Sequence, residues 1–286
     1  MISILVPIYN FDSRELIKEL HRQCEEADVD YDILVADDAS TECLDAIKEI
    51  SEYPYVTFFK YDENQGRSAI RNALAVHAKH NFLLFIDCDA QICSNDFIKN
   101  YIPCLKENVC VFGGRALYPY PLTDDFSIEH MYNAKVETKY VENHVFTSFN
   151  FLIDRELFLA YMFDDNISGY GHEDTMLAYR VSETTKIEYI DNPLVHLGIS
   201  NNETYLNKVK ESCLNLLKLA EYYSYDEAMS AIRLWVVYKK IKRAKIDRLV
   251  RYVIKLHYQY LIKKVMSKKS SLLALDLLKL HYILNP

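Results

Sequence analysis

Apolar runs alternate with amphipathic helical segments over the first 86 residues, and this alternation limits the possible folds more than any other feature of the chain. Four runs have the length and β-rich composition of buried strands: Ile2–Ile8, Asp32–Ala36, Val56–Tyr61 and Phe82–Ile86. The segments between them, such as Ser13–Ala27, repeat apolar residues at helical intervals. The pattern predicts an α/β fold with a mostly parallel, doubly wound sheet that binds ligands at the carboxyl ends of its strands.

The chain changes character after residue 200. Between Leu194 and Asn285 there is no proline, and four helices are predicted, over Glu203–Tyr223, Asp226–Lys245, Asp247–Met266 and Ser270–Ile283. Fourteen Lys and Arg face two acids from residue 231 to the end, a net charge of +12 in a protein whose total is -8. We therefore expect two parts with different surroundings: 1–200, an α/β domain, and 201–286, a basic helical extension.

Polar groups follow the predicted strands at the edge where their carboxyl ends meet. Asp87 and Asp89 come directly after the fourth strand, and Tyr9, Asp38 and an Arg-containing loop follow the other three. Two carboxylates at i and i+2 can converge on a divalent cation when the chain bends there. A solvated turn is the alternative interpretation of an isolated Asp-x-Asp.

These motifs together resemble the signature of family 2 glycosyltransferases with the GT-A fold. The resemblance is found in Val6-Pro7-Ile8-Tyr9-Asn10, Ala36-Asp37-Asp38-Ala39-Ser40, Asn64-x-Gly66-x-x-x-Ile70-Arg71-Asn72, Phe85-Ile86-Asp87-Cys88-Asp89 and Gly169-Tyr170-Gly171-His172-Glu173-Asp174. It ends near Gly198 and thus covers about two thirds of the chain. It implies that 1–200 is a GT-A catalytic domain that moves a sugar from a nucleotide diphosphate, expected to be UDP, to an acceptor hydroxyl with inversion.

The resemblance also implies roles at the donor site. Asp38 is expected at the uracil edge, with Pro7 and Tyr9 as the pocket wall and Arg71 at the base or a phosphate. For Arg71 the alternative is an exposed salt bridge. Gly114 is expected to let the backbone approach the donor sugar.

The same resemblance implies a divalent cation, Mn²⁺ or Mg²⁺. Asp89 is expected to bind it directly, with Asp87 at the ribose or the water shell of the ion. His196 matches a third ligand of several relatives, and an imidazole ligand favours Mn²⁺. The alternative for His196 is an ordinary hydrogen-bonded histidine at a strand end.

On the acceptor side, Asp174 matches the catalytic carboxylate and Glu173 is expected to orient acceptor hydroxyls. Two acids at a helix start also fit simple dipole complementation. The sequence departs from the family pattern at His172, where a second glycine is more usual. Asn150 is expected to contact the acceptor or to satisfy backbone groups.

The basic extension mixes cations with apolar and aromatic residues at helical spacing, which suits an anionic membrane surface. Packing against the acidic domain, with the charges solvated or paired, is the alternative. Nucleic acid is not expected as a partner, because the acidic part of the chain would repel a polyanion and no nucleic-acid module is present.

We therefore predict a metal-dependent inverting glycosyltransferase that builds a bacterial surface glycan or polysaccharide on a glycan or lipid-linked acceptor. A non-catalytic nucleotide-sugar-binding scaffold and a sugar nucleotidyltransferase are the alternatives. We expect a cytoplasmic enzyme, peripheral on the inner face of the membrane, because the N-terminus lacks a signal peptide and no run reaches about 18 consecutive apolar residues.

Overall fold

The computed structural model describes residues 1–116, 118, 123–137, 145–167, 169–222, 229–230, 232–267 and 270–286. The chain divides into two compact units that alternate along the sequence. The first unit contains Met1–Tyr118, Thr138–Ser168 and Glu173–Gly198, and the second contains Pro119–Glu137, Gly169–His172 and Ile199–Pro286. The predicted domain boundary at residue 200 stays a prediction.

A seven-stranded sheet forms the centre of the first unit. Its strands are β1 (Ile2–Ile8), β2 (Tyr31–Asp38), β3 (Val56–Tyr61), β4 (Phe82–Ile86), β6 (Cys110–Phe112), β8 (Asn150–Asp154) and β9 (Glu188–Tyr189). Their order is β3-β2-β1-β4-β8-β6-β9, and only β8 runs antiparallel to its neighbours. The predicted doubly wound, mostly parallel sheet is therefore confirmed.

Helices cover this sheet because each presents an apolar stripe to it. They are α1 (Arg14–Glu26), α2 (Leu44–Ser51), α3 (Arg67–His77), α4 (Phe97–Tyr101), α6 (Arg155–Tyr161) and α7 (Glu173–Ser182). One hydrophobic cluster contains Leu16 and Leu20 of α1, and a separate one contains Ile70 and Leu74 of α3. The second cluster also contains Phe85, which stacks on Phe151 with ring centroids 4.7 Å apart.

A small second sheet brings the end of the first unit next to residues 87–89, which follow β4. Its strands are β5 (Ala90–Gln91), β7 (Arg115–Ala116) and β10 (Leu194–His196), and β10 lies in the middle. His196 pairs with Ala90 in the antiparallel register. The imidazole of His196 is thereby placed beside the segment that follows β4.

The second unit is helical. It contains α5 (Ser127–Tyr132), a π-helical turn (Asn133–Glu137), α8 (Asn202–Tyr222), α9 (Arg233–Arg243), α10 (Asp247–Val265) and α11 (Leu272–Leu284). The predicted helical extension is confirmed, although Tyr223 and the first three residues of the predicted helix Asp226–Lys245 lie outside the described residues. Within the described part of the chain, no helix combines the length and the apolar character needed to cross a bilayer.

Candidate functional site

Tyr9 and Asn10 leave β1 at the carboxyl edge of the large sheet. Because β1 pairs in parallel with both β2 and β4, the ends of these three strands lie side by side. Asn10 adopts a positive φ of 52°, and its Oδ1 accepts hydrogen bonds from the N–H groups of Thr41 and Glu42. The Tyr9 side chain is left 50% exposed, a flat ring on which a base could stack.

The two acids at the end of β2 have structural partners. Asp37 accepts from the Ser40 N–H at 3.0 Å and thereby caps the turn after β2. Asp38 is buried, and its two oxygens accept from the N–H groups of Gln65 at 2.6 Å and Gly66 at 3.1 Å. Burial raises the pKa of Asp38, although these two hydrogen bonds act to lower it. Asp38 thus holds the loop that precedes α3, and its contact with a base stays a prediction.

Arg71 and Asp87 form an ion pair between α3 and the end of β4. The Arg71 side chain is buried, which rules out the alternative of an exposed salt bridge. It also donates to the Arg67 carbonyl at 3.0 Å, and its guanidinium lies 5.6 Å from the Phe163 ring centroid. The pair fixes the orientation of Asp87, whose side chain stays 22% exposed at the strand end.

Asp89 and His196 are 107 residues apart in the chain, yet His196 Nε2 lies 2.9 Å from Asp89 Oδ2. A Cβ on Gly198 would overlap the Asp89 carboxylate, so glycine leaves room around this oxygen. One carboxylate and one imidazole that converge in this way fit a divalent cation, with a nitrogen donor that favours Mn²⁺. Among the described residues, no group of three or more His, Cys, Asp or Glu side chains is suited to a metal. An ion held by Asp89 and His196 alone would leave several coordination positions for diphosphate oxygens and water.

Cations lie around Asp89. Burial acts to raise its pKa, but His196, Arg115 and Arg67 outweigh burial and lower the pKa. The Arg115 guanidinium lies 4.6 Å from the centroid of the Phe149 ring, whose edge also contacts His196. The site therefore combines two acids with a positive surrounding, a charge balance that suits a bound diphosphate.

Glu173 and Asp174 begin α7. The Asp174 carboxylate accepts from the Thr175 N–H at 2.7 Å, and burial followed by the neighbouring Glu173 raises its pKa to about 6. Glu173 is buried, with Oε1 3.6 Å from the Arg67 guanidinium and Oε2 without a hydrogen-bond partner in the described structure. A carboxylate with a pKa near 6 is mostly ionised at neutral pH and is a stronger base than an ordinary aspartate.

The segment before this pair packs on α8 within the second unit. Gly169 and Gly171 have φ of 85° and 98°, and a Cβ on Gly171 would lie 2.6 Å from Ser212 Oγ. His172 Nε2 lies 3.2 Å from the same hydroxyl, and Asn215 Nδ2 donates to the Tyr170 carbonyl at 3.1 Å. The two glycines therefore allow a close approach between this segment and the helix.

Gly114 follows β6, and Asn150 is the first residue of the neighbouring strand β8. Gly114 has a φ of 79°, and its carbonyl accepts from Asn150 Nδ2 at 2.8 Å. Asn150 is fully buried and also accepts from the Tyr101 hydroxyl. Asn150 therefore satisfies backbone and core polar groups, the second of its two expected roles.

The sequence placed Arg67 only within the Arg-containing loop at the strand ends and assigned no role to Arg115 or Gly198, although the structure places all three at the site. Arg115 directly follows Gly113 and Gly114, and this pair of glycines was the available signal. Gly198 gave none, because its proximity to Asp89 depends on the pairing of β10 with β5.

An α/β sheet whose strand ends collect acids, cations and an exposed ring is the arrangement of a nucleotide-binding transferase. The family model for glycosyl transferase family 2 matches residues 3–162, more than half of the chain. The protein therefore belongs to glycosyl transferase family 2 and is a glycosyltransferase. No curated protein matches the chain.

Solved structures are similar to this chain at low sequence identity. The mannosyltransferase PcManGT from Pyrobaculum calidifontis, in complex with GDP-Man and Mn²⁺, is 18% identical with a TM-score of 0.58, over 97% of this chain and 78% of that one. TarS 1–349 from S. aureus is 16% identical with a TM-score of 0.49, over 76% of this chain and 65% of that one, just under two thirds. Its complex with UDP is 14% identical with a TM-score of 0.49, over 98% of this chain and 89% of that one. The PcManGT likeness supports the GT-A fold.

Proposed function

We propose that this glycosyltransferase is metal-dependent and inverting, and that it moves a sugar from a UDP-sugar to a hydroxyl of a glycan or lipid-linked acceptor during synthesis of a bacterial surface polysaccharide. The observation that carries the proposal is the convergence of Asp89 and His196 at 2.9 Å beside the Arg71–Asp87 pair. The choice of UDP and the class of acceptor are supported by the family resemblance.

The donor binds, in this proposal, along the carboxyl ends of β1, β2 and β4. Tyr9 and Pro7 stack on the base, Asp38 and Arg71 hold the loop and helix that surround it, and Gly114 leaves space for the sugar. Asp89 and His196 would hold Mn²⁺ or Mg²⁺, with Asp87 at the ribose or a bound water. The ion supplies positive charge for the departing diphosphate. Arg67 and Arg115 add fixed positive charge beside Asp89.

The acceptor reacts, in this proposal, next to Asp174. Its carboxylate takes the proton of the acceptor hydroxyl as the oxygen forms a bond to the anomeric carbon and the bond to the nucleoside diphosphate breaks. A single displacement of this kind inverts the configuration. The pKa of about 6 favours the role, since a base must accept a proton and still be ionised at neutral pH. Glu173 is proposed to orient the acceptor.

Calorimetric titration of UDP, GDP and CDP tests the donor site without an acceptor. Each nucleotide is titrated with Mn²⁺ and again with EDTA, into the native protein and Asp89→Ala. We expect preferential UDP binding that needs the metal and is lost in the variant. Preference for GDP or CDP would contradict the UDP assignment, and unchanged UDP affinity in EDTA would contradict the metal assignment. Absence of binding to all three nucleotides by folded protein would contradict the proposed donor site itself.

We further propose that the second unit brings the enzyme to the anionic inner surface of the cell membrane, where a lipid-linked acceptor is found. The charge of +12 between residue 231 and the end supports this location.

A further inference from the structure

Helix α10 has two apolar faces, and only one of them is buried by the part of the chain that the structure describes. Ile254, Leu261 and Val265 are buried on the first face, where α10 packs against α11. At about 100° per residue these three positions lie on one side of the helix. An ordinary surface helix would have polar and charged residues on the opposite side.

The opposite side of α10 has instead five large apolar or aromatic side chains, which we call the apolar stripe. It consists of Leu249 (62% exposed), Tyr252 (61%), Val253 (45%), Leu256 (64%) and Tyr260 (62%). Their spacing places them within an arc of about 100°, directly opposite Ile254 and Val265. These side chains form a continuous line over most of the helix rather than isolated exposed residues.

Cations surround the apolar stripe. Arg248 and Lys255 border it on one side, Lys264 borders it on the other, and Lys263 lies within its last turn, all with exposed side chains. The only acid of α10 is Asp247, which has Lys242 at 3.3 Å and Arg251 at 3.8 Å. The exposed face of α10 therefore combines apolar area with net positive charge.

We propose that α10 lies in the plane of an anionic lipid bilayer surface, with the apolar stripe in the headgroup and acyl boundary and the bordering cations at the lipid phosphates. Long Lys and Arg side chains beside inserted residues can reach back to the headgroups, and aromatic rings such as Tyr252 and Tyr260 suit this depth. The charge selects this occupant, because a positively charged copy of the same face would repel a second one. The proposal deepens the membrane location proposed above by assigning it to one helix face.

Flotation of the full chain with lipid vesicles tests this assignment. The vesicles are phosphatidylcholine with phosphatidylglycerol, or phosphatidylcholine alone. We expect binding to the anionic vesicles that weakens as salt is added, and much weaker binding to the neutral ones. Failure to float with either vesicle would overturn the proposal, as would equal, salt-independent binding to both.

Two variants separate the apolar and charged contributions. Leu249→Ser combined with Leu256→Ser is expected to weaken binding roughly ten-fold for each leucine. Arg248→Gln combined with Lys255→Gln is expected to weaken it roughly five-fold for each cation. The matched controls are Leu44→Ser and Lys79→Gln, exposed side chains of the first unit that should change nothing. If these controls weaken binding as much as the α10 variants, α10 is not the docking face.

A fluorescent variant reports insertion directly. The chain has a single tryptophan, the buried Trp235, so Tyr260→Trp in a Trp235→Phe background adds one reporter on the apolar stripe. We expect its emission to shift to shorter wavelength with anionic vesicles and to be quenched by brominated lipid. An unshifted and unquenched signal in vesicle-bound protein would contradict insertion.

Two further readouts distinguish this proposal from its rivals. A native protein that is dimeric by size exclusion, and becomes monomeric in the leucine variant, would make the apolar stripe a protein interface and overturn the membrane assignment. UDP titration of the same variants tests the donor site separately. Vesicle binding without UDP binding would therefore contradict the proposed function and leave the docking face intact.

Discussion

Asp174 combines a raised pKa with a position at the start of α7, and this combination predicts how the rate depends on pH. Hydrolysis of the donor by water, which takes the place of the unknown acceptor, gives a usable assay. Asp174→Asn should retain UDP affinity and lose roughly 10²- to 10⁴-fold in rate. In the native protein the rate should fall as the pH is lowered through about 6, where the base becomes protonated. Substantial turnover by the variant would place the base elsewhere.

The same ionisation affects stability. The pKa of Asp174 rises from 3.8 to about 6 on folding, so the folded state binds this proton more tightly than the unfolded state. The protonated carboxyl therefore contributes its full stabilisation below the unfolded pKa, and this stabilisation is lost as the pH rises through about 6. Asp174→Asn removes this loss, so its free energy of unfolding at neutral pH should exceed that of the native protein by about 3 kcal/mol. Urea denaturation at pH 7 and pH 4 measures the difference, which should shrink at the lower pH. A variant less stable than the native protein at pH 7 would contradict a raised pKa of Asp174 in the folded state.

At the scale of elements, the hydrophobic pattern was sufficient for most of the sheet. Observed strands β1, β3 and β4 have the predicted bounds, since each is a short apolar run between turn residues. Strand β2 continues past the predicted Ala36 to Asp38 because its pairing with β3 extends that far. Helix α3 ends at His77 because the backbone of Ala78 is extended. Strand β8, which begins at Asn150, follows a less regular stretch of sequence and was not among the four predicted strands.

The site depends more on pairings between distant segments. The family motifs indicated Asp89 and His196, but their 2.9 Å approach depends on β5, β7 and β10, which are too short for any periodicity to predict. The burial of Arg71 against Asp87 likewise depends on tertiary packing. Sequence therefore identifies which residue types are present at the strand ends, whereas packing determines their partners.

The antiparallel pairing of β4 with β8 brings aromatic rings together just before residues 87–89. Phe85 is opposite Phe151 in the register, and it also contacts Phe158 with centroids 4.8 Å apart. Phe85→Ala should lower the free energy of unfolding by roughly 3–5 kcal/mol, because it leaves a cavity that these rings can fill only in part. Urea denaturation measures it, with the exposed Val76→Ala as control. A loss no larger than that of the control would mean that this aromatic cluster does not stabilise the sheet.

At the scale of the whole molecule, the two compact units do not coincide with the acidic and basic parts of the sequence. The family match ends at residue 162, before Glu173, Asp174 and His196. The second unit includes Gly169–His172 as well as the basic helices, whereas Glu173–Gly198 belongs to the first unit. The proposed base therefore follows directly in the chain after a segment that folds with the C-terminal helices.

This continuity predicts that α8 residues affect the rate without touching the donor. Ser212→Ala combined with Asn215→Ala removes two contacts to the segment Gly169–His172. Because Asp174 follows that segment by two residues, a small displacement of the base should lower kcat for donor hydrolysis roughly ten-fold and leave the donor KM unchanged. Ser212→Thr keeps a hydroxyl and should recover most of the rate, and the exposed Lys210→Ala should have no effect. An unchanged kcat in the double variant would show that the base is positioned by α7 alone, whereas a raised KM with unchanged kcat would relate α8 to donor binding instead.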